Sequence, residues 1–180
     1  PNCAARTLVQ DIEPIHRIVQ DDGIPIEVGA IMDPIGNAVH TVLEGGEVPG
    51  STVLVLGCGP IGCFACGVAK AAGASLVIAS DLNDVRLELA RRMGADLTLN
   101  PTRDDVTGRI RAATGGDGVD LVCEMSGHPA GHAQAFQAAR ARGGVNLLGT
   151  PSQATQVDFA REIIFRGLTL YGVTGRRMYG

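Results

Sequence analysis

The chain has 180 residues and a formal net charge of −4, long enough for one domain that buries about 70 per cent of its unfolded surface without disulfide or metal support. Its basic residues are scattered, with no basic stripe and few aromatics, which argues against a nucleic-acid partner. No apolar run approaches the ~18 residues of a membrane span, and the first residues hold neither a basic nor a continuous apolar leader region, so a cytoplasmic protein is expected. The five cysteines, Cys3, Cys58, Cys63, Cys66 and Cys123, are odd in number and irregular in spacing, so reduced thiols are expected. With no Trp and many small aliphatic residues, the composition suits helices packed closely on a sheet.

The first element with a clear signature is Thr52-Val53-Leu54-Val55-Leu56, a short β-branched apolar run that enters the turn Gly57-Cys58-Gly59-Pro60-Ile61-Gly62. A small-residue helical stretch follows to Ala72, with Gly73 as its stop, then a second apolar strand at 76–79 and Asp81 just beyond it. A lone G-x-G-x-x-G is weak evidence in a glycine-rich chain; a strand before it, a helix after it and an acidic residue about 20 positions on make it a dinucleotide-binding fingerprint. Gly57 permits the tight turn, Gly59 lets a pyrophosphate approach the backbone, and Gly62 lets the helix pack close to the sheet. Amides from Gly59 to Gly62, at the positive end of the helix dipole, are expected to face the phosphates. Asp81 is placed to accept from ribose hydroxyls and to repel a 2′-phosphate, which favours NAD over NADP.

Residues 84–93 form an amphipathic helix, with Val85, Leu89 and Met93 on one face and Gly94 as its stop. Beyond it the pattern predicts a third strand at 96–100, a helix at 104–114 closed by Gly115-Gly116-Asp117-Gly118, and a fourth strand at 119–124. A helix at 130–140, a fifth strand at 145–148, a short helix at 159–165 and a sixth strand at 168–173 complete the series. Six strands with crossover helices imply an α/β fold, a Rossmann-type doubly wound parallel sheet in the order 3-2-1-4-5-6. The ligand then lies over the strand ends, against 57–62, 80–86, Met125-Ser126-Gly127, Gly149-Thr150-Pro151 and Val173-Thr174-Gly175. Cys63 and Cys66 have metal or redox spacing but fall within a helix, where small thiols suit packing. His128 and His132 sit four apart without a third ligand and are read as surface or helix-end histidines.

Five segments in this order, Ile31-Met32-Asp33-Pro34-Ile35-Gly36-Asn37-Ala38-Val39-His40-Thr41, the glycine turn, Asp81 with Arg86, Glu124-Met125-Ser126-Gly127 and Gly172-Val173-Thr174-Gly175-Arg176, resemble the zinc-dependent medium-chain dehydrogenases. The likeness runs from about residue 30 to the end. It implies that Ile61 covers the pyrophosphate turn beside Pro60, that Asp81 and Arg86 hold the adenosine ribose, and that Met125 and Ser126, Leu148 and Gly149, and Val173 flank the rest of an NAD. His40 is implied on the nicotinamide side as a catalytic candidate. Asp33 matches an acidic position near the catalytic zinc, where the family commonly has Glu; Asp33-Pro34 reads equally as a helix start.

The family's catalytic zinc ligands, a Cys and a His-Glu pair, have no counterpart before residue 30, and its lobe of closely spaced cysteines is missing. Residues 1–29 are therefore expected to be the end of a catalytic domain and a linker, and 30–180 an NAD-binding domain cut short at its C-terminus. The chain alone is expected to hold no zinc and to be inactive. The activity implied for an intact enzyme is oxidation of a secondary alcohol, L-threonine to 2-amino-3-oxobutyrate. A sorbitol-type polyol or other secondary alcohol, or a non-catalytic NAD-binding remnant, are the alternatives. The likeness also implies a homodimer through the edge strand 168–173.

Overall fold

Six parallel strands, β1 (Thr52–Leu56), β2 (Leu76–Ser80), β3 (Leu97–Leu99), β4 (Val119–Glu124), β5 (Ala139–Leu147) and β6 (Thr169–Gly172), hydrogen-bond in the order β3-β2-β1-β4-β5-β6. This is the doubly wound order expected from the crossover pattern. The structure is a computed structural model and describes residues 25–175; Cys3, residues 1–24 of the expected remnant segment, and Arg176 lie outside the described residues. The chain divides into two units, Pro1–Asp33 and Pro34–Gly180, and the sheet belongs wholly to the second.

Helices α1 (Ile26–Leu43), α2 (Pro60–Ala71), α3 (Asp84–Met93), α4 (Val106–Ala113) and α5 (Pro129–Ala138) supply the outer layers, with a π-helical turn at Phe159–Ile164 before β6. The period-2 alternation of the strands divides the core in two. Val53, Val55, Val77, Ala79, Leu121 and Cys123 face one side, where Ala65, Cys66 and Ala69 of α2, Leu87 and Ala90 of α3, and Ala38 and Val42 of α1 cover them. Leu54, Leu56, Ile78, Leu99, Val122 and Val145 face the other, beneath Val106 and Ile110 of α4 and Ala135 and Phe136 of α5. Small residues on α2 bring its axis close to the sheet, as the composition foretold.

Polar side chains fix where the helices begin. The Asn83 side chain accepts from the amides of Val85 and Arg86, Asp105 from Gly108, and His128 from Ala130, each satisfying a first-turn donor that the helix leaves open. The last turn of α1 is tied to the sheet by Asn146 of β5. Its buried Nδ2 donates to the Thr41 and Glu44 carbonyls at 2.6 and 2.8 Å.

Several boundaries differ from the sequence reading. The third strand stops at 97–99 rather than 96–100, because the Asp96 carboxylate accepts from Val77 N and Lys70 Nζ while the Asn100 side chain caps the following turn. The helix expected to reach residue 140 ends at Ala138, where the Arg166 guanidinium takes the Phe136 and Ala139 carbonyls, and β5 begins at once. The register of β4 against β5 shifts between Val119 and Leu121, near Arg142 with its φ of 63°. Asp33-Pro34 does not start a helix; Pro34 lies inside α1, which begins at Ile26.

Candidate functional site

The turn from β1 into α2 shows why each glycine stands where it does. Gly57 has a φ of 90°, and a Cβ on it would meet the Ser126 amide nitrogen at 2.7 Å. A Cβ on Gly62 would be driven into the Gly57 carbonyl. Gly59 is different. Its φ of −65° and ψ of −174° are open to any residue, and a Cβ there would meet nothing within 4 Å. The space it leaves belongs to a cleft. Gly59 is also the N-cap of α2 without a side-chain cap, and Pro60 has no amide, so the amides of Ile61 and Gly62 stand at the positive helix end without a capping acceptor.

A cleft of about 640 Å³ opens beside this turn, lined by Gly57, Gly59, Asp81, Arg86, Met125 and Ser126 among others. The Asp81 side chain is largely covered. Its Oδ2 accepts from Cys58 N at 2.7 Å and its Oδ1 from Asn83 N at 2.8 Å, while Arg86 Nη1 approaches Oδ2 to 3.9 Å. The carboxylate thus locks the glycine turn to the end of β2 and keeps lone pairs for hydroxyl donors. A second cavity of about 420 Å³ is lined by Leu148, Gly149, Thr150, Val173 and Thr174, with His132 and Thr155 on its wall. The loops expected to line one site are therefore shared between two cavities, those after β1, β2 and β4 on the first and those after β5 and β6 on the second. Ile61 packs against the core on the α2 side.

His40 is held on both ring nitrogens, Nδ1 lying 2.7 Å from the Gly175 carbonyl and Nε2 lying 3.2 Å from the Glu44 carboxylate. It therefore sits against the loop after β6 and lines neither cavity. Asp33 is exposed on α1. Among the described residues no group of three or more His, Cys, Asp or Glu side chains is arranged to hold a metal ion, so these residues do not fit a zinc. The four described cysteines are unpaired and buried. Desolvation pushes the Cys66 and Cys123 thiols up to about 12 and raises Cys58 and Cys63 as well, the opposite of what a thiolate ligand or nucleophile needs.

The histidine pair corrects one expectation. His128 does sit at a helix end, but His132 is buried, and its Nε2 lies 3.2 Å from Oε2 of Glu124. Glu124, at the end of β4, has no exposed surface, and its carboxylate also takes the Ser126 amide and hydroxyl and the Gly127 amide. The sequence carried one signal for this, a Glu ending an otherwise apolar strand, and the pairing across eight residues was not legible from spacing alone.

A doubly wound sheet with an uncapped glycine turn and an acidic residue bound to that turn from the end of the second strand is the architecture of a Rossmann-type nucleotide-binding domain. The family model for zinc-binding dehydrogenases matches residues 60–179, and the chain belongs to that family. L-threonine 3-dehydrogenase of Bacillus velezensis is 47% identical over 152 residues, which cover 84% of this chain and 44% of that protein. L-idonate 5-dehydrogenase of Escherichia coli superposes with a TM-score of 0.75 at 31% identity, over 84% of this chain and 42% of its own. A Sinorhizobium meliloti protein described as a zinc-binding dehydrogenase, solved bound to NADP, superposes with a TM-score of 0.78 at 32% identity, over 83% of this chain and 45% of its own. The chain spans less than half the length of the curated relative.

Proposed function

We propose that this chain is the NAD-binding domain of a zinc-dependent dehydrogenase that oxidises the secondary alcohol of L-threonine to 2-amino-3-oxobutyrate. The observation that carries the cofactor reading is Gly59, open toward a cleft in front of an uncapped helix N-terminus, with Asp81 lining the same cleft beside the turn. Gly57, Gly59 and Gly62 shape the pyrophosphate seat with Pro60 and Ile61; Asp81 and Arg86 take the adenosine ribose; Met125 and Ser126, then Leu148, Gly149 and Val173, flank the remainder. The buried face of Asp81 beside Cys58 N supports NAD over NADP, since a 2′-phosphate would bring a second negative charge against it. When bound, the nicotinamide accepts hydride from the carbon bearing the hydroxyl. His40, tied to Gly175 next to the loop after β6, is proposed to steady that loop on the nicotinamide side.

The substrate reading rests on relatives named L-threonine 3-dehydrogenase at 41–48% identity. Residues 1–29 are proposed as the end of a catalytic domain that would supply the zinc ligands, with Asp33 as an auxiliary acidic group. The four free thiols accord with a cytoplasmic protein. Pairing of two copies through β6 is proposed because β6 is the sheet edge and Phe159, Ile164 and Phe165 beside it are exposed. The second reading, a polyol dehydrogenase, is favoured by the likeness to L-idonate 5-dehydrogenase. Supplying a family catalytic domain to the chain and following reduced nicotinamide with L-threonine or a polyol separates the two. Turnover of threonine supports the first reading, turnover of polyol alone the second, and none with either leaves a binding module only.

A further inference from the structure

Glu124 links a residue of one cavity to a residue of the other. Its carboxylate accepts from the Ser126 hydroxyl, which borders the first cavity, and from His132 Nε2, whose ring borders the second. The chain continues from His132 Nδ1 to Thr155 Oγ1 at 3.2 Å. The Glu124 main-chain carbonyl meanwhile accepts from the amides of Leu148 and Gly149, both at 3.0 Å. The loop that leaves β5 is thus held at its start by the backbone of Glu124 and, seven residues on, by the side chain of the same residue through His132.

Glycines clear the room for this arrangement. A Cβ on Gly131 would lie 2.8 Å from Glu124 Oε1, and one on Gly127, whose φ is 63°, would lie 2.7 Å from the Thr150 carbonyl oxygen. The two loops therefore touch backbone to backbone around a fully buried carboxylate. A buried polar group left without partners costs about 1–3 kcal/mol, so the carboxylate oxygens hold the surrounding donors in fixed places. The Ser126 hydroxyl spends its proton on Glu124, and its oxygen also accepts from His128 N at 3.2 Å, which leaves Ser126 able to act toward a ligand only as an acceptor.

We propose that His132 and Thr155 are positioning residues that, through Glu124, clamp the loop after β5 onto the loop after β4 so that the two halves of a dinucleotide seat together. The inference rests on the dinucleotide reading above and adds to it a coupling between the two cavities. The adenosine half needs only the first cavity; the nicotinamide half needs the clamped loop.

The test titrates the full chain and its variants with NADH, followed by the fluorescence of the reduced nicotinamide, and with ADP-ribose, followed by calorimetry. In Thr155→Val and His132→Phe, NADH should bind about tenfold more weakly, the size expected when one buried partner is left unsatisfied, while ADP-ribose stays within about twofold. Thr155→Ser, which restores the hydroxyl, should bind both ligands within about twofold of the unaltered chain. Thr155 is on a surface loop, so its two variants remain informative if His132→Phe does not fold. Unchanged NADH affinity in Thr155→Val, or NADH and ADP-ribose weakening together, or no recovery in Thr155→Ser, overturns the clamp and leaves the dinucleotide reading standing. An unaltered chain that binds neither ligand overturns the dinucleotide reading, and the clamp with it.

Discussion

Substituting two glycines of the same turn should separate folding from binding. Gly62→Ala places a methyl group against the Gly57 carbonyl, and that carbonyl has little room to retreat, because Gly57 holds a φ of 90° with the Ser126 backbone behind it. Overpacking against fixed backbone costs about 3 kcal/mol, which for a domain of this size lowers the unfolding midpoint by about 6–12 °C. In Gly59→Val the new Cβ meets no atom within 4 Å and the residue needs no unusual φ. Loss of a favourable N-cap glycine and the gain from a stiffer unfolded chain nearly offset, so the net change should lie within about 1 kcal/mol. The branched side chain nevertheless fills the space assigned to the pyrophosphate, and NADH affinity should fall by at least about 100-fold, roughly 2.7 kcal/mol. Thermal unfolding and NADH titration of both variants check this. A Gly59→Val chain of normal stability that still binds NADH as tightly as before would refute the phosphate-loop assignment. A Gly62→Ala chain as stable as its parent would refute the packing argument.

Asp81→Ala should narrow an NAD over NADP preference of at least about tenfold and also cost about 1–3 kcal/mol of stability, since Cys58 N and Asn83 N lose their acceptor; parallel titrations with both cofactors and a melting curve read the two effects. Burial raises the Asp120 carboxyl, but donation from Thr52 N, Thr52 Oγ1 and Arg140 outweighs it and holds the group below the usual carboxylate value. Its contribution to stability is therefore present above the unfolded carboxylate value and is lost as pH falls through the lower folded value, so Asp120→Asn should weaken the chain at neutral pH and flatten the acid limb of a stability–pH curve. The thiols of Cys58, Cys63, Cys66 and Cys123 should resist iodoacetamide at neutral pH until the chain unfolds; mass spectrometry of native protein that finds them alkylated would contradict the burial assigned to them.

The strand order was legible because hydrophobic period and crossover length carry it: Val53, Val55, Leu54 and Leu56 alternate between two covered faces, whereas the face of α3 was misread, since the helix buries Leu87 and Ala90 and leaves Val85 and Leu89 exposed. The glycine turn was legible because Gly57 and Gly62 answer to local backbone sterics. Element ends were less so, since Arg166 captures the carbonyls at the end of α5 from 27 and 30 residues away. The same limit hid the Glu124–His132–Thr155 chain, in which a buried carboxylate meets a histidine eight residues on and that histidine meets a threonine 23 residues further. His132 looked like a helix-end residue because nothing in a single sequence marks which side of a helix meets a buried carboxylate. Asp33-Pro34 looked like a helix start because Pro is favoured in a first turn, yet α1 carries Pro34 in its interior.

The cleft beside the β1–α2 turn is proposed to seat a nicotinamide dinucleotide. Calorimetric titration of the purified chain with NADH tests it most directly, with the Gly59→Val chain as the control. One binding site per chain is expected, lost in the control while its melting curve is kept; a folded parent chain that takes up no NADH, or a control that binds it equally well, would contradict the dinucleotide assignment.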